Sequence, residues 1–270
     1  MNKKVIYGIM SAVMFISGGI LMFYFFWANG YFAPPKTSPT TSYSEFTYPS
    51  LPSVIEVSTK QTVDPNDNSN KSGDQYAYVS PVDFDELKAA NSDIVGWLYM
   101  TTPYISQPVL RSGSDDTYYL SHGANGDYDR NGSLFMEGKY NSADFSDPCT
   151  IIYGHRMSDG AMFGNLQASF DGVDIVNNAQ YVVIYLPNET KIYHIIATVP
   201  YEIKHILYYN DLSNESVYNK FIDKIYATSG SEVQLVTDDK PQYGDKLLIL
   251  STCLRTDRTR RFLVVAKEVT

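Results

Sequence analysis

The chain has 270 residues, 44% of them hydrophobic and 19% charged, which is enough apolar content for one large core or two small ones. Its 21 basic and 30 acidic side chains leave a net charge of −9, which argues against nucleic acid as a partner and against strong attraction to anionic lipid headgroups. Tyrosine outnumbers tryptophan 23 to 2, and with abundant Val, Ile and Thr this composition favours strands over helices.

Residues 1–4 form a short basic flank, Asn2-Lys3-Lys4, ahead of an apolar run from Val5 to Trp27. That run is about the 20 residues needed to cross a bilayer core. It ends in Phe23-Tyr24-Phe25-Phe26-Trp27, an aromatic cluster suited to the membrane interface rather than a small-x-small cleavage site. Residues 5–27 therefore read as a retained transmembrane signal anchor, with a cleaved signal peptide as the alternative. The lysines stay inside by the positive-inside rule, so the rest of the chain is expected outside the cytoplasm. Residues 28–79 change character: Pro34-Pro35, then Ser/Thr/Pro-rich and Asp/Asn/Ser-rich stretches, carry no sustained apolar period. Such composition cannot bury enough surface to offset chain entropy and reads as a disordered stalk.

A folded domain is expected over residues 80–270. Ser80 as N-cap, Pro81 at N1 and Asp83 at N3 predict a short helix through about Ala90. Short apolar or alternating runs follow at Ile94–Met100, Ser133–Met136, Thr150–Tyr153, Tyr181–Leu186, Ile192–Val199 and Lys246–Leu250, and Arg261–Val269 closes the chain. That spacing suits an antiparallel barrel or sandwich. One further helix is predicted after Ser213, where Val217, Phe221, Ile222 and Ile225 recur at helical spacing before Gly230.

Two cysteines, Cys149 and Cys253, are too few for a disulfide framework. The run Lys246–Cys253 drives a buried strand straight into Cys253, a basic loop follows, and a new strand starts at Arg261. If the two strands are hairpin partners, Cys253 and Arg261 share one barrel rim. A guanidinium beside a thiol favours the thiolate and supplies fixed donors for a developing oxyanion. A second apolar strand, Thr150–Tyr153, ends in Gly154-His155, the glycine letting the backbone turn. A histidine near a cysteine can hold a thiolate–imidazolium pair or give a proton to a leaving amine. Spacing alone does not show that Cys253 and His155 meet, and a strand-terminal cysteine is commonly a small core residue. If His155 and Cys253 share a rim, Cys149 lies about six residues away at the other end of its strand, too far to bridge. Cys149 then reads as a packed core thiol. His122, His194 and His205 show no metal-ligand spacing, so no metal or other cofactor is expected.

Ser251-Thr252-Cys253, Arg261 opening a Val-rich strand, and Tyr153-Gly154-His155 together resemble the sortases, cysteine transpeptidases of Gram-positive cell surfaces. The similarity is closest to class B. It is carried by Asn91–Trp97, Tyr118–His122, Gly132–Phe135, Asp144–Asp147, Ile151–Met157 and Asp159–Gly164, in order, and spans roughly Ser80 to Thr270. The resemblance implies a closed eight-stranded β-barrel with an N-terminal and an inserted helix. It implies Cys253 as the nucleophile that cleaves a sorting signal after Thr, His155 as acid/base, and Arg261, rather than Arg260, at the substrate carbonyl or oxyanion. Segment Ile203–Lys224 would lie over the substrate groove, with Tyr208, Tyr209 and Ser251 as substrate contacts. Leu254 departs from the pattern, in which the residue after the cysteine is often acidic or polar. Partners on this reading are surface proteins bearing sorting signals, an amine of a peptidoglycan precursor, and the membrane through the N-terminal helix. The alternatives are a pilin-polymerising sortase and a non-catalytic surface protein on the same barrel.

Overall fold

The computed structural model describes residues 78–269. The cytoplasmic flank, the transmembrane anchor and nearly all of the stalk expected from the sequence lie outside these residues. The described chain opens with helix α1 (Phe84–Ala90). Its cap is Asp83, whose side chain accepts from Glu86 N at 3.0 Å, and not Ser80, which instead accepts from Val82 N. The start shifts because Val82, Phe84 and Leu87 are all buried. Beginning at Phe84 sets Phe84 and Leu87 three apart on one helical face, and an aspartate caps as well as a serine does.

Nine strands follow: β1 (Ile94–Thr101), β2 (Tyr104–Leu110), β3 (Leu134–Phe135), β4 (Cys149–Tyr153), β5 (Tyr181–Tyr185), β6 (Thr190–Glu202), β7 (Gln234–Leu235), β8 (Leu247–Cys253) and β9 (Arg260–Glu268). Their spatial order is β5-β1-β2-β3-β4-β8-β9-β6, and β6 pairs back onto β5. Eight strands therefore close a barrel and leave no long free edge among them. β6 is 13 residues long. Past the end of β5 it takes on β7 as a ninth strand, through Ala197–Leu235 and Thr198–Gln234.

The barrel is mixed rather than wholly antiparallel, because β2 pairs β3 and β4 pairs β8 in parallel. Strand β2, which contains Pro108, was not among the expected runs. Pro108 is tolerated because only β1 lies beside it; pairing with β3 starts one residue later, at Val109.

Three helices complete the domain: α2 (Leu166–Phe170), α3 (Ile206–Tyr209) and α4 (Glu215–Tyr226). The helix predicted after Ser213 is α4, but Asn214 caps it, accepting from Val217 N. Ser213 Oγ is held instead by Asp211 at 2.6 Å. Tyr218, Phe221, Ile222 and Ile225 on α4 are buried in the same apolar cluster as β8 and β9, each such burial being worth roughly 1.5–3 kcal/mol. Two phenols anchor this helix to the β7–β8 connection, Tyr226 to Val236 O and Tyr218 to Asp245 O.

Candidate active site

Strands β8 and β9 form a hairpin in which Cys253 stands directly opposite Arg261. Directly opposed residues in an antiparallel pair project to the same face, so the arginine can reach the thiol. Its Nη1 donates to Cys253 Sγ at 3.2 Å. Arg260 is one position earlier and so belongs to the opposite face, where it is exposed. Arg255 is engaged elsewhere, in an ion pair with Asp171 at 2.8 Å. Leu254, the departure noted in the sequence, is 2% exposed, so its apolar character fits the core it enters.

The parallel pairing of β4 with β8 runs from Cys149–Leu247 to Tyr153–Ser251, and Gly154 N continues it to Ser251 O at 3.2 Å. Carried two residues past Tyr153, this register brings His155 level with Cys253. The need for Gly154 is close approach rather than a turn. A Cβ there would meet Leu134 Cδ2 at 2.6 Å and Phe163 Cδ2 at 2.7 Å, while its φ is not in the left-handed region.

His155 Nε2 lies 2.8 Å from the carbonyl oxygen of Leu120. A carbonyl only accepts, so Nε2 carries a proton and Nδ1 is the nitrogen free to take or give one. Leu120 ends a 3-10 turn, Tyr118–Leu120, and the neighbouring motifs fix that turn in place. The Tyr119 hydroxyl donates to Asp93 Oδ2 at 2.9 Å and accepts from Asn91 Nδ2 at 2.9 Å. Burial first, and then the Asp93 carboxylate, push its phenol up to about 12 against the opposing effect of the Asn91 hydrogen bond. Gly132 packs against the same turn: its φ is +61° and a Cβ would meet Tyr119 O at 2.4 Å. Segments far apart in sequence thus converge on one carbonyl that orients one imidazole.

Cys253, His155, Arg261 and Ser251 line a common cavity of about 270 Å³. Its apolar wall includes Leu120, Phe135, Ile203 and Ile206, and its polar wall Glu137, Tyr153, Glu202 and His205. Ser251 is 4% exposed and lies on the cysteine's face, two residues before it. Tyr208 and Tyr209 do not line this cavity. They sit on α3 just beyond it, edge to face with each other and both largely exposed. Within the segment Ile203–Lys224 expected over the groove, Ile203–Ile206 supply the wall. Sequence reading also passed over Glu137 and His205, because neither stands in a motif with metal-ligand or nucleophile spacing.

Cys149 lies at the far end of β4. It is a free, buried thiol, and burial followed by the charge of Asp147 pushes its pKa well above the ordinary thiol range. It is an inert core thiol, and no disulfide joins it to Cys253.

A family model for the sortase domain matches residues 108–269. Sortase B of Listeria monocytogenes is 31% identical over 170 residues, covering 62% of this chain and 65% of that protein. Sortase B of Staphylococcus aureus is 28% identical over 190 residues, covering 69% and 74% respectively. The chain thus spans just under two thirds of the Listeria protein. Among solved structures, sortase B of Bacillus anthracis superposes with a TM-score of 0.59 at 29% identity, covering 69% of this chain and 84% of the other. With a closed eight-stranded barrel carrying cysteine, arginine and histidine at one mouth, this chain belongs to the sortase family, and the relatives it matches are named sortase B.

Proposed function

We propose that the chain is a membrane-anchored, extracytoplasmic class B transpeptidase that joins surface proteins bearing a sorting signal to peptidoglycan. The observation that carries the reading is the contact of Arg261 Nη1 with Cys253 Sγ, 3.2 Å long, at the mouth of the cavity that His155 shares.

In the first half-reaction the Cys253 thiol passes its proton to His155 Nδ1, and the resulting thiolate attacks the carbonyl carbon of the signal's threonine. The C–S bond forms as the carbonyl oxygen becomes an oxyanion beside the Arg261 guanidinium, a fixed cationic donor worth more at a half-buried rim than in water. The C–N bond to the next residue then breaks, and His155 Nδ1 supplies the proton that the departing amine needs. A thioester remains on Cys253. In the second half-reaction a neutral amine of a peptidoglycan precursor attacks that carbonyl, loses its proton to His155, and expels the thiolate as a new amide forms. The apolar run of residues 5–27 supports anchoring by the N-terminus, and the two flanking lysines support an outside location for the domain.

The test uses the full-length chain in detergent with fluorogenic peptides of NPQTN-like and LPXTG-like sequence. Cleavage by the wild type and none by Cys253→Ala is the expected outcome. Cleavage that persists in Cys253→Ala, or none by the wild type with any peptide, overturns the proposal. Mass spectrometry of products formed with cell-wall-type and lysine-type amines identifies the acceptor.

A further inference from the structure

Beyond β3 the chain continues through Met136 to Glu137, whose side chain lines the Cys253 cavity. His205 meets it from the other wall, with Nε2 at 2.5 Å from Glu137 Oε2. The other ring nitrogen, Nδ1, accepts from Tyr208 N at 3.0 Å and so caps α3. A ring nitrogen that accepts a backbone N–H carries no proton, so Nε2 bears the proton and donates it to the carboxylate. One imidazole thereby does two things: it starts α3, and it ties that helix to a residue 68 positions earlier in the chain.

The surroundings fix this link. The ring of Tyr140 packs on His205 with centroids 4.6 Å apart. Glu137 also bears on Tyr153, whose phenol is pushed well above the ordinary range by burial first and then by that carboxylate. The side chains of Glu137 and His205 are 17% and 28% exposed, so their charge-assisted bond is less screened than a surface pair. Helix α3 depends on such a tie. It has four residues, far too few to persist alone, and among them only Ile206 is fully buried. Yet Ile203, Lys204, His205 and Ile206 form one wall of the cavity.

We propose that Glu137 and His205 are a positioning pair: their link sets where the Ile203–Ile206 wall stands over the Cys253 cavity, and so sets how firmly a sorting-signal peptide is held for attack. The inference rests on the transpeptidase reading above for its substrate, but not for its geometry. Both residues act through the wall rather than on the reacting atoms. The pair should therefore affect the Michaelis constant more than the turnover number.

The test uses the full-length chain in detergent and the fluorogenic peptide the wild type cleaves fastest. Glu137→Ala cuts the link, while His205→Asn keeps a capping side chain too short to reach Glu137. Both are expected to raise KM about tenfold with kcat changed by less than about twofold, the loss of one such bond. Glu137→Gln, which keeps an accepting oxygen, is expected to restore KM to within about threefold of the wild type. A second measurement needs no substrate. Amide hydrogen exchange at Tyr209 and Asn210 should quicken about tenfold in Glu137→Ala while the amides of β8 and β9 keep their protection. The iodoacetamide alkylation rate of Cys253 should not change. An unchanged KM, a fall confined to kcat, or unchanged exchange in α3 would each overturn the positioning role. If the wild type cleaves no peptide, the transpeptidase reading fails, and the exchange measurement still decides the pair.

Discussion

At Cys253 the chemistry depends on which arginine shares its face of the sheet. The hairpin register puts Arg261 opposite the thiol and Arg260 on the reverse side. Replacing Arg261 with Ala is accordingly expected to lower kcat/KM by about 10²–10³-fold, as loss of an oxyanion donor does, while Arg260→Ala stays within about threefold. Steady-state peptide cleavage checks both. Lysine at position 261 should recover little of the loss, because an ammonium on a flexible stem lacks the fixed, planar donors of the guanidinium. The two thiols differ just as sharply. Cys253 is partly exposed and Cys149 is buried with its thiolate strongly disfavoured. Iodoacetamide should therefore label Cys253 alone in the folded protein, and peptide mass mapping after denaturation should show both sites only when the reagent is added to the unfolded chain.

Among the elements, β4 and the 3-10 turn before β3 are what aim His155. Gly154 lets β4 press against Leu134 and Phe163 at distances no Cβ allows. Gly154→Ala is expected to destabilise the domain by about 1–3 kcal/mol, the cost of overpacking, which a urea titration would measure. It should also lower peptide cleavage by displacing the next residue, His155. Capping of α4 gives a cleaner comparison. Asn214→Ala should cost about 1 kcal/mol, and Ser213→Ala less than about 0.5 kcal/mol, because the cap is Asn214. The same urea titration distinguishes the two.

For the whole molecule, one source of acid sensitivity should be the end of the barrel remote from the active site. There Asp239 bridges His194 on β6 and Lys267 on β9, residues that face each other in the ladder. Burial raises the Asp239 pKa, but hydrogen bonds from Lys267 and His194 outweigh it and hold the value below the ordinary carboxylate range. A carboxylate whose folded pKa is depressed contributes stability above its unfolded pKa, about 4, and loses it as pH falls through the folded value. Stability should therefore be flat near neutrality in this respect and decline below about pH 4. Asp239→Asn should flatten that acid limb, as urea midpoints measured between pH 7 and pH 3 would show. The substitution should leave peptide cleavage at neutral pH unchanged, because Asp239 is remote from the cavity of Cys253.

Much of this protein was legible in the linear chain. Period-2 and continuous apolar runs marked most strands, helical spacing marked α4, and strand ends made Cys253, His155 and Arg261 candidates that the family resemblance then joined into one site. Local signals of that kind are physical facts about short segments, since burial periodicity and turn chemistry act over a few residues. The caps at Asp83 and Asn214 were missed by three positions and by one because neighbouring residues cap equally well in isolation, and packing of the helix face chooses between them. Strand β2 carries Pro108, which only an unoccupied neighbouring position makes acceptable. Parallel pairing of β4 with β8, which brings His155 level with Cys253, joins segments roughly a hundred residues apart, and no local pattern encodes such a register. The cavity wall of Ile203–Ile206 and the Glu137–His205 link were decided in the same way. They exist only once barrel closure has brought two unrelated connections to one rim, where burial strengthens a bond that the sequence shows merely as a glutamate and a distant histidine.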